Sequence, residues 1–442
     1  MVSFFHSYDL RGTFPDEIGP EEATRVGKAY GTFVDAEKVL VGRDGRESSP
    51  EVKDAFVDGI LSTGTDVVDA GMIPTPVIYF GQRELGLDSS AVVTASHNPP
   101  QYTGFKFCRE DSMAMSRDGG MREIEAIYTD RSFDEGSGEL SEVDLEERYV
   151  DAVLGEVGPV DLDVVVDTGN GVAGPLAEKL FEALGCDVEV LNREVDGSFP
   201  EHLPDPTSEE AKQYLRDRMS DQDLGVLIDG DGDRAGFIVP GYGEVSEDEA
   251  IAVISRHLLE GSGTVIHDLR ASKLVSEEVE DAGGEPLESR VGHTFISEMI
   301  HGRSDVVFAG ELSGHFYFPG IGFPWDDGLL AAAVFSSIVE ERDIEEVLDS
   351  LPEYPVSPEL RIDCPEDEKQ RVMDDVRKRF GDRDLSEKDG LKIMFDRGWA
   401  LVRPSSTEPK MSLRFEAESQ QDLKQIRDEV EDFVRSSIGS SK

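Results

Sequence analysis

The sequence predicts an α/β protein of four units, and three observations carry that prediction. Short β-branched runs alternate with helical stretches along most of the chain, the pattern of α/β units with buried parallel strands. The 442 residues are enough for several domains at roughly 150 residues each. An apolar strand running into a glycine-rich or polar loop recurs as AVVTASHNP, GVLIDGDGDR and VVFAGELSGH, once in each of the first three units. Open α/β sheets bind ligands at the carboxyl ends of their strands, so three such loops would meet in one cleft.

Residues 39–41 read as a strand, and Ser49-Pro50 as an N-cap followed by proline, opening a helix to about residue 61. Strands follow at 67–68 and 91–93. Residues 162–166 form another, ending in the loop Thr168-Gly169-Asn170-Gly171 before a helix to about residue 181. Residues 224–228 and 306–309 are further strands, and the stretch from Ser412 reads as a strand and then an amphipathic helix. The Gly-, Ser- and acid-rich segment 130–144 would close a first unit. The turn-rich 240–243 precedes a helix starting near Asp248, and 351–355 reads as a linker. The expected units are 1–148, 149–246 and 247–353, each α/β, and a smaller α+β unit, 354–442.

Acidic residues number 94 against 43 basic ones, a formal charge of −51. That excess argues against a nucleic-acid partner and against an anionic membrane surface. No run of apolar residues is long enough to span a membrane, and the first residues lack the features of a secretory signal. Cys108, Cys186 and Cys364 are isolated, which points to a reducing, cytoplasmic compartment rather than a disulfide framework. With a Debye length near ~3 Å at 1 M salt, neighbouring carboxylates hardly repel, so a halophilic source is the expectation.

Four segments suggest chemistry. In Thr94-Ala95-Ser96-His97-Asn98-Pro99-Pro100 a serine follows a buried strand and precedes a turn, placed as a nucleophile or phosphate carrier. Lys106 would add charge or shuttle a proton. In Asp229-Gly230-Asp231-Gly232-Asp233-Arg234 three carboxylates alternate with glycines; together they would raise one another's pKa values unless a hard cation were present. An EF-hand is excluded, because Arg234 and Pro240 stand where it needs glycine and glutamate. In Gly310-Glu311-Leu312-Ser313-Gly314-His315 an acceptor and a hydroxyl suit sugar hydroxyls, and His315 suits general acid–base work. Arg403-Pro404-Ser405-Ser406-Thr407-Glu408-Pro409 has the make-up of a phosphate cradle without Walker spacing. Tyr8-Asp9-Leu10-Arg11-Gly12 and Gly292-His293-Thr294-Phe295 are uninformative alone; the bland readings are a surface ion pair and a satisfied loop histidine.

Together these segments resemble the α-D-phosphohexomutase family, closest to its phosphomannomutase/phosphoglucomutase branch, in order and spacing over nearly the whole chain. The resemblance implies four domains around a central cleft. It implies Ser96 as phosphoryl carrier and Mg²⁺ held by Ser96, Asp229, Asp231 and Asp233. Arg234 and His97 would lie beside the phosphoserine, and Glu311 and Ser313 would contact the sugar. Arg403, Ser405, Ser406 and Thr407 would grip the distal phosphate, with Arg11, Arg270 and His293 completing the site. Lys106 and His315 are the acid–base candidates, Lys106 favoured for its nearness to Ser96 in sequence. The implied reaction interconverts hexose 1- and 6-phosphates through a hexose 1,6-bisphosphate, which also serves as activator.

Two departures stand out: Ser406 where the family often has glycine, and Arg270 where some members carry lysine. Gly292-His293-Thr294 and Leu312 differ from the glucosamine-phosphate branch and point to mannose or glucose phosphates, leaving the epimer open. The alternatives are a phosphoglucosamine mutase, a magnesium-dependent sugar phosphatase and a non-catalytic cation-binding protein. The protein would act as a monomer or homo-oligomer.

Overall fold

The computed structural model describes residues 4–6, 9–405 and 409–439. Four sheets follow one another along the chain. The first runs, from edge to edge, Leu10–Thr13, Tyr102–Arg109, Ser90–Val93, Lys38–Arg43, Asp66–Met72 and Leu140–Glu142. The second runs Gly243–Val245, Ala235–Val239, Leu224–Ile228, Asp163–Asp167 and Asp187–Leu191; the third runs Glu285–Ser289, Thr264–Asp268, Val306–Gly310, Phe316–Phe318 and Phe323–Asp326.

These three sheets share one wiring. A central strand (Lys38–Arg43, Asp163–Asp167 or Thr264–Asp268) pairs in parallel with the next two strands of the chain. The second of those then turns back into an antiparallel partner. The strands expected to be parallel are so, and each sheet adds antiparallel ones that make it mixed. The connections 94–101, 229–234 and 311–315 are too short for the crossover a parallel pair needs, so each closes an antiparallel pair. Those connections are the three polar loops singled out above.

Other expectations shift by small amounts. The helix over 49–61 is Ser49–Leu61, but Ser48 stands at its N-cap and the Ser49 hydroxyl donates to Asp44 instead. Segment 130–144, expected to close the first unit, is pinned to that unit's sheet. Gly136 and Gly138 donate to the Ser62 and Leu61 carbonyls at 2.8 Å each, and Leu140–Glu142 becomes an edge strand of the first sheet. The boundary expected at 148 falls inside the helix Glu146–Val157. The linker 351–355 is tied at both ends: Leu351 is buried, and Ala417 donates to the Pro355 carbonyl at 3.1 Å.

The fourth sheet is wholly antiparallel, in the order Leu360–Asp363, Lys410–Ala417, Gly398–Pro404, Leu391–Phe395, Leu385–Ser386. The helices Glu366–Phe380 and Gln420–Ile438 cover it, with a core of its own around Val372, Val376, Val402, Phe415 and Val430. It meets the third unit through Trp399 and Leu401, packed on Leu269.

Candidate active site

Ser96 leaves its strand with φ 50°, the left-handed region, which a non-glycine residue enters only when its surroundings hold it there. That bend turns its hydroxyl toward the second unit, where Oγ donates to Asp229 Oδ2 at 2.7 Å. The His97 Nδ1 lies 3.1 Å from the same hydroxyl.

The aspartate loop is shaped by its own backbone. Asp229 Oδ1 accepts from the amides of Gly232, Asp233 and Arg234 at 3.0, 3.0 and 3.2 Å, and Gly232 takes φ 85°. All three carboxylates are buried, and one oxygen from each falls within 4.8 Å of the others. Burial, then the charges of Asp233 and Asp231, push the Asp229 carboxyl well up. Burial acts the same way on Asp233, but Lys106, His315 and Arg234 outweigh it and hold that group well down. The Lys106 ammonium donates to Asp231 at 2.8 Å and also to Asp233. Thr75, from the first unit, donates to Asp231 Oδ2 at 2.8 Å.

Among the described residues, Asp231 Oδ1 and Asp233 Oδ1 are buried with no hydrogen-bond partner, His315 Nε2 lying 3.6 Å from the latter. Orphaned carboxylate oxygens in an all-oxygen cluster fit a hard divalent cation, so the residues present suit the magnesium expectation.

The third loop closes over this cluster. His315 pairs by backbone with Arg234, and Arg234 Nε donates to His315 Nε2 at 3.2 Å. Ser313 Oγ lies 2.8 Å from His315 Nδ1, and Glu311 accepts from Tyr317 at 3.0 Å and from the Gly292 amide at 3.1 Å. Burial and Arg234 pull the His315 pKa down; Asp233 and Glu311 outweigh them and bring it to about 9. Burial, followed by the charge of His315, takes His293 down to about 4. Arg234 and burial likewise hold His97 well below the ordinary histidine value. The pocket therefore draws one histidine up and its two neighbours down.

Arg11 reaches the serine loop from the edge strand, donating to Asn98 Oδ1 at 2.7 Å and pairing with Asp9 at 2.6 Å. Arg270 is fixed by Asp268, whose Oδ2 also accepts from the Leu312 amide at 3.0 Å, so the arginine and the third loop share one anchor. Arg270, Arg403 and Ser405 line a cavity of about 220 Å³ with Arg361 and Lys410. Arg403 is paired with Asp389 at 2.7 Å. Ser406 and Thr407 lie outside the described residues. The structure thus brings Ser96, His97, Lys106, the three aspartates, Arg234, Glu311, Ser313 and His315 together. Arg270, Arg403 and Ser405 form a second, cationic group. Thr75 and Arg46 contact this machinery without having been singled out in the sequence.

The chain is similar to known proteins along its length. The chain matches the phosphoglucomutase/phosphomannomutase alpha/beta/alpha domains I, II and III over residues 3–135, 147–243 and 246–354. It matches the C-terminal domain of that family over residues 359–433. The chain belongs to the phosphoglucomutase/phosphomannomutase family of α-D-phosphohexomutases. It is 34% identical over 440 residues to the phosphomannomutase/phosphoglucomutase of Pseudomonas aeruginosa, covering 96% of this chain and 94% of that one. It is 36% identical to a probable phosphoglucosamine mutase of Methanopyrus kandleri, covering 98% of each. The crystal structure of a phosphoglucomutase/phosphomannomutase family protein from Burkholderia thailandensis superposes with a TM-score of 0.91 at 33% identity, covering 100% of this chain and 99% of that one.

Proposed function

We propose that Ser96, as a phosphoserine, carries the group exchanged between hexose 1-phosphates and hexose 6-phosphates. The chain is an intramolecular phosphotransferase, a phosphohexomutase of the mannose and/or glucose type. The observation that carries the serine assignment is the Ser96 hydroxyl, 2.7 Å from Asp229 at the edge of a buried carboxylate cluster.

In the forward half-reaction the substrate's free hydroxyl attacks the phosphorus on Ser96 Oγ. The P–Oγ bond breaks, the new P–O bond gives hexose 1,6-bisphosphate, and the hydroxyl proton passes to a group of the pocket. The intermediate turns over and returns its other phosphoryl group to Ser96. A bisphosphate supplied from solution would recharge any dephosphorylated enzyme.

Asp229, Asp231, Asp233 and Ser96 would hold Mg²⁺, which neutralises charge on the transferring group when bound. His97 borders the serine hydroxyl, and Arg234, 4.0 Å from the Asp229 oxygen that accepts from it, would meet the phosphoryl oxygens. Lys106 and His315 are the proton carriers. Glu311 and Ser313 accept from and donate to sugar hydroxyls, and His293 sits one ring away from His315, at 6.0 Å. Arg270, Arg403 and Ser405, with Ser406 and Thr407, grip the non-reacting phosphate, and Arg11 braces the serine loop. His293 and Leu312 support mannose or glucose phosphate over glucosamine phosphate as substrate.

An assay in molar KCl with Mg²⁺ and a trace of glucose 1,6-bisphosphate tests this reading, comparing the 1-phosphates of mannose, glucose and glucosamine. Mannose or glucose 1-phosphate should convert to the 6-phosphate, and Ser96→Ala should abolish conversion. Conversion of the glucosamine compound alone would overturn the sugar assignment and leave the serine chemistry standing. Stoichiometric release of inorganic phosphate would make the protein a phosphatase.

A further inference from the structure

Arg46 heads the large side chains that are fully buried, with 1% of its surface exposed. It lies on the connection between the strand Lys38–Arg43 and the helix Ser49–Leu61. A guanidinium is tolerated in such a place only when its N–H groups are satisfied. All five are. Nη2 donates to the carbonyls of Ser96 and Asn98, each at 2.6 Å. Nη1 donates to those of Pro99 and Tyr102 at 2.8 and 3.2 Å, and Nε to Asp44 Oδ2 at 3.1 Å. Asp44 is itself held by the Arg46 amide and the Ser49 hydroxyl.

Three of the five acceptors therefore belong to the serine loop and a fourth to Tyr102, which opens the next strand; one is the carbonyl of Ser96, the residue in the left-handed conformation. That same carbonyl is where the aspartate loop approaches: a Cβ on Gly230 would lie 2.5 Å from it. The second unit also closes over the arginine. A Cβ on Gly197 would lie 2.6 Å from Arg46 Cα, and the Phe199 ring sits 5.1 Å from the guanidinium.

We propose that Arg46 is a positioning residue for phosphoryl transfer, setting the direction of Ser96 Oγ by gripping the Ser96 carbonyl and registering the serine loop against the aspartate loop. This rests on Ser96 being the phosphoryl carrier. Lysine keeps the charge but offers a single nitrogen, which cannot span four backbone carbonyls and Asp44. Among the described residues, no hydrogen bond or ion pair joins Arg46 to Arg270, Arg403 or Glu311, the proposed grip on the hexose phosphate, so substrate affinity should not depend on it.

The test compares wild type and Arg46→Lys as full chains, by thermal unfolding, by kcat and KM, and by the rate at which glucose 1,6-bisphosphate phosphorylates the protein, read as intact mass. The expected result is a folded variant in which kcat and the phosphorylation rate fall together, on the order of 10- to 100-fold, the loss that follows from misplacing a reacting atom by about 1 Å. KM should stay within about twofold, because ground-state binding is untouched. Unchanged kcat overturns the proposal, as does a fall in kcat matched by an equal rise in KM. Should Arg46→Lys fail to fold, Asp44→Asn, which removes the carboxylate at the Nε end and leaves the four carbonyl acceptors in place, must show the same selective loss of kcat, and its absence overturns the proposal. A wild-type protein that takes up no phosphoryl group would instead contradict the assignment of Ser96, which keeps the two failures apart.

Discussion

Both ring nitrogens of His202 face acceptors: Nδ1 the Leu203 carbonyl at 2.9 Å, Nε2 the Asp167 carboxylate at 2.8 Å. A carbonyl and a carboxylate can only accept, so this ring is an imidazolium. Burial draws its pKa down, but the hydrogen bond and charge of Asp167 outweigh burial and leave it above 6.5. The pair pins residues 202–204 against the loop 168–171, whose Val172 amide donates to Gly230 of the aspartate loop at 3.1 Å. The folded state binds this proton more tightly than the unfolded chain. The contribution is therefore complete below the unfolded value and fades as pH rises through the raised folded one. His202→Gln should accordingly be destabilised by about 1–3 kcal/mol near pH 6 and by less near pH 9. Thermal unfolding of both proteins at both pH values measures it; a gap that grows with pH would contradict the imidazolium.

At the scale of elements, the three cleft loops were legible because their signal is local: residue type, glycine spacing and a preceding apolar strand all lie within about ten residues. The parallel strands were read as such, but the antiparallel return after each loop was not, although the information was present. Six residues separate Ile228 from Ala235, and no crossover helix fits in such a connection. The edge strand Leu140–Glu142 was hidden for another reason. All three of its residues are exposed, so it shows no apolar pattern, and its place depends on Gly136 and Gly138 meeting the backbone at residues 61–65. Arg46 was invisible because a buried arginine and a surface one read alike until the fold wraps the serine loop around it. The same holds for Thr75, whose role exists only across the junction of the first two units.

At the scale of the whole molecule, a chain of charge −51 sets Arg11, Arg234, Arg270 and Arg403 each beside an aspartate. No described helix is long and apolar enough to cross a membrane. We propose that the acidic exterior is matched to molar salt, where charges only a residue apart are screened. Activity and the folded signal should both be lost on dialysis into dilute buffer and return with KCl; a protein fully active without added salt would contradict this. The central claim is narrower, that one serine carries the phosphoryl group. It is tested most directly by the intact mass of wild type and Ser96→Ala after incubation with glucose 1,6-bisphosphate and Mg²⁺. The account predicts one added phosphoryl group on wild type, located at Ser96 and lost to hexose phosphate, and none on the variant. Phosphorylation of the variant, or turnover without Ser96, would contradict it.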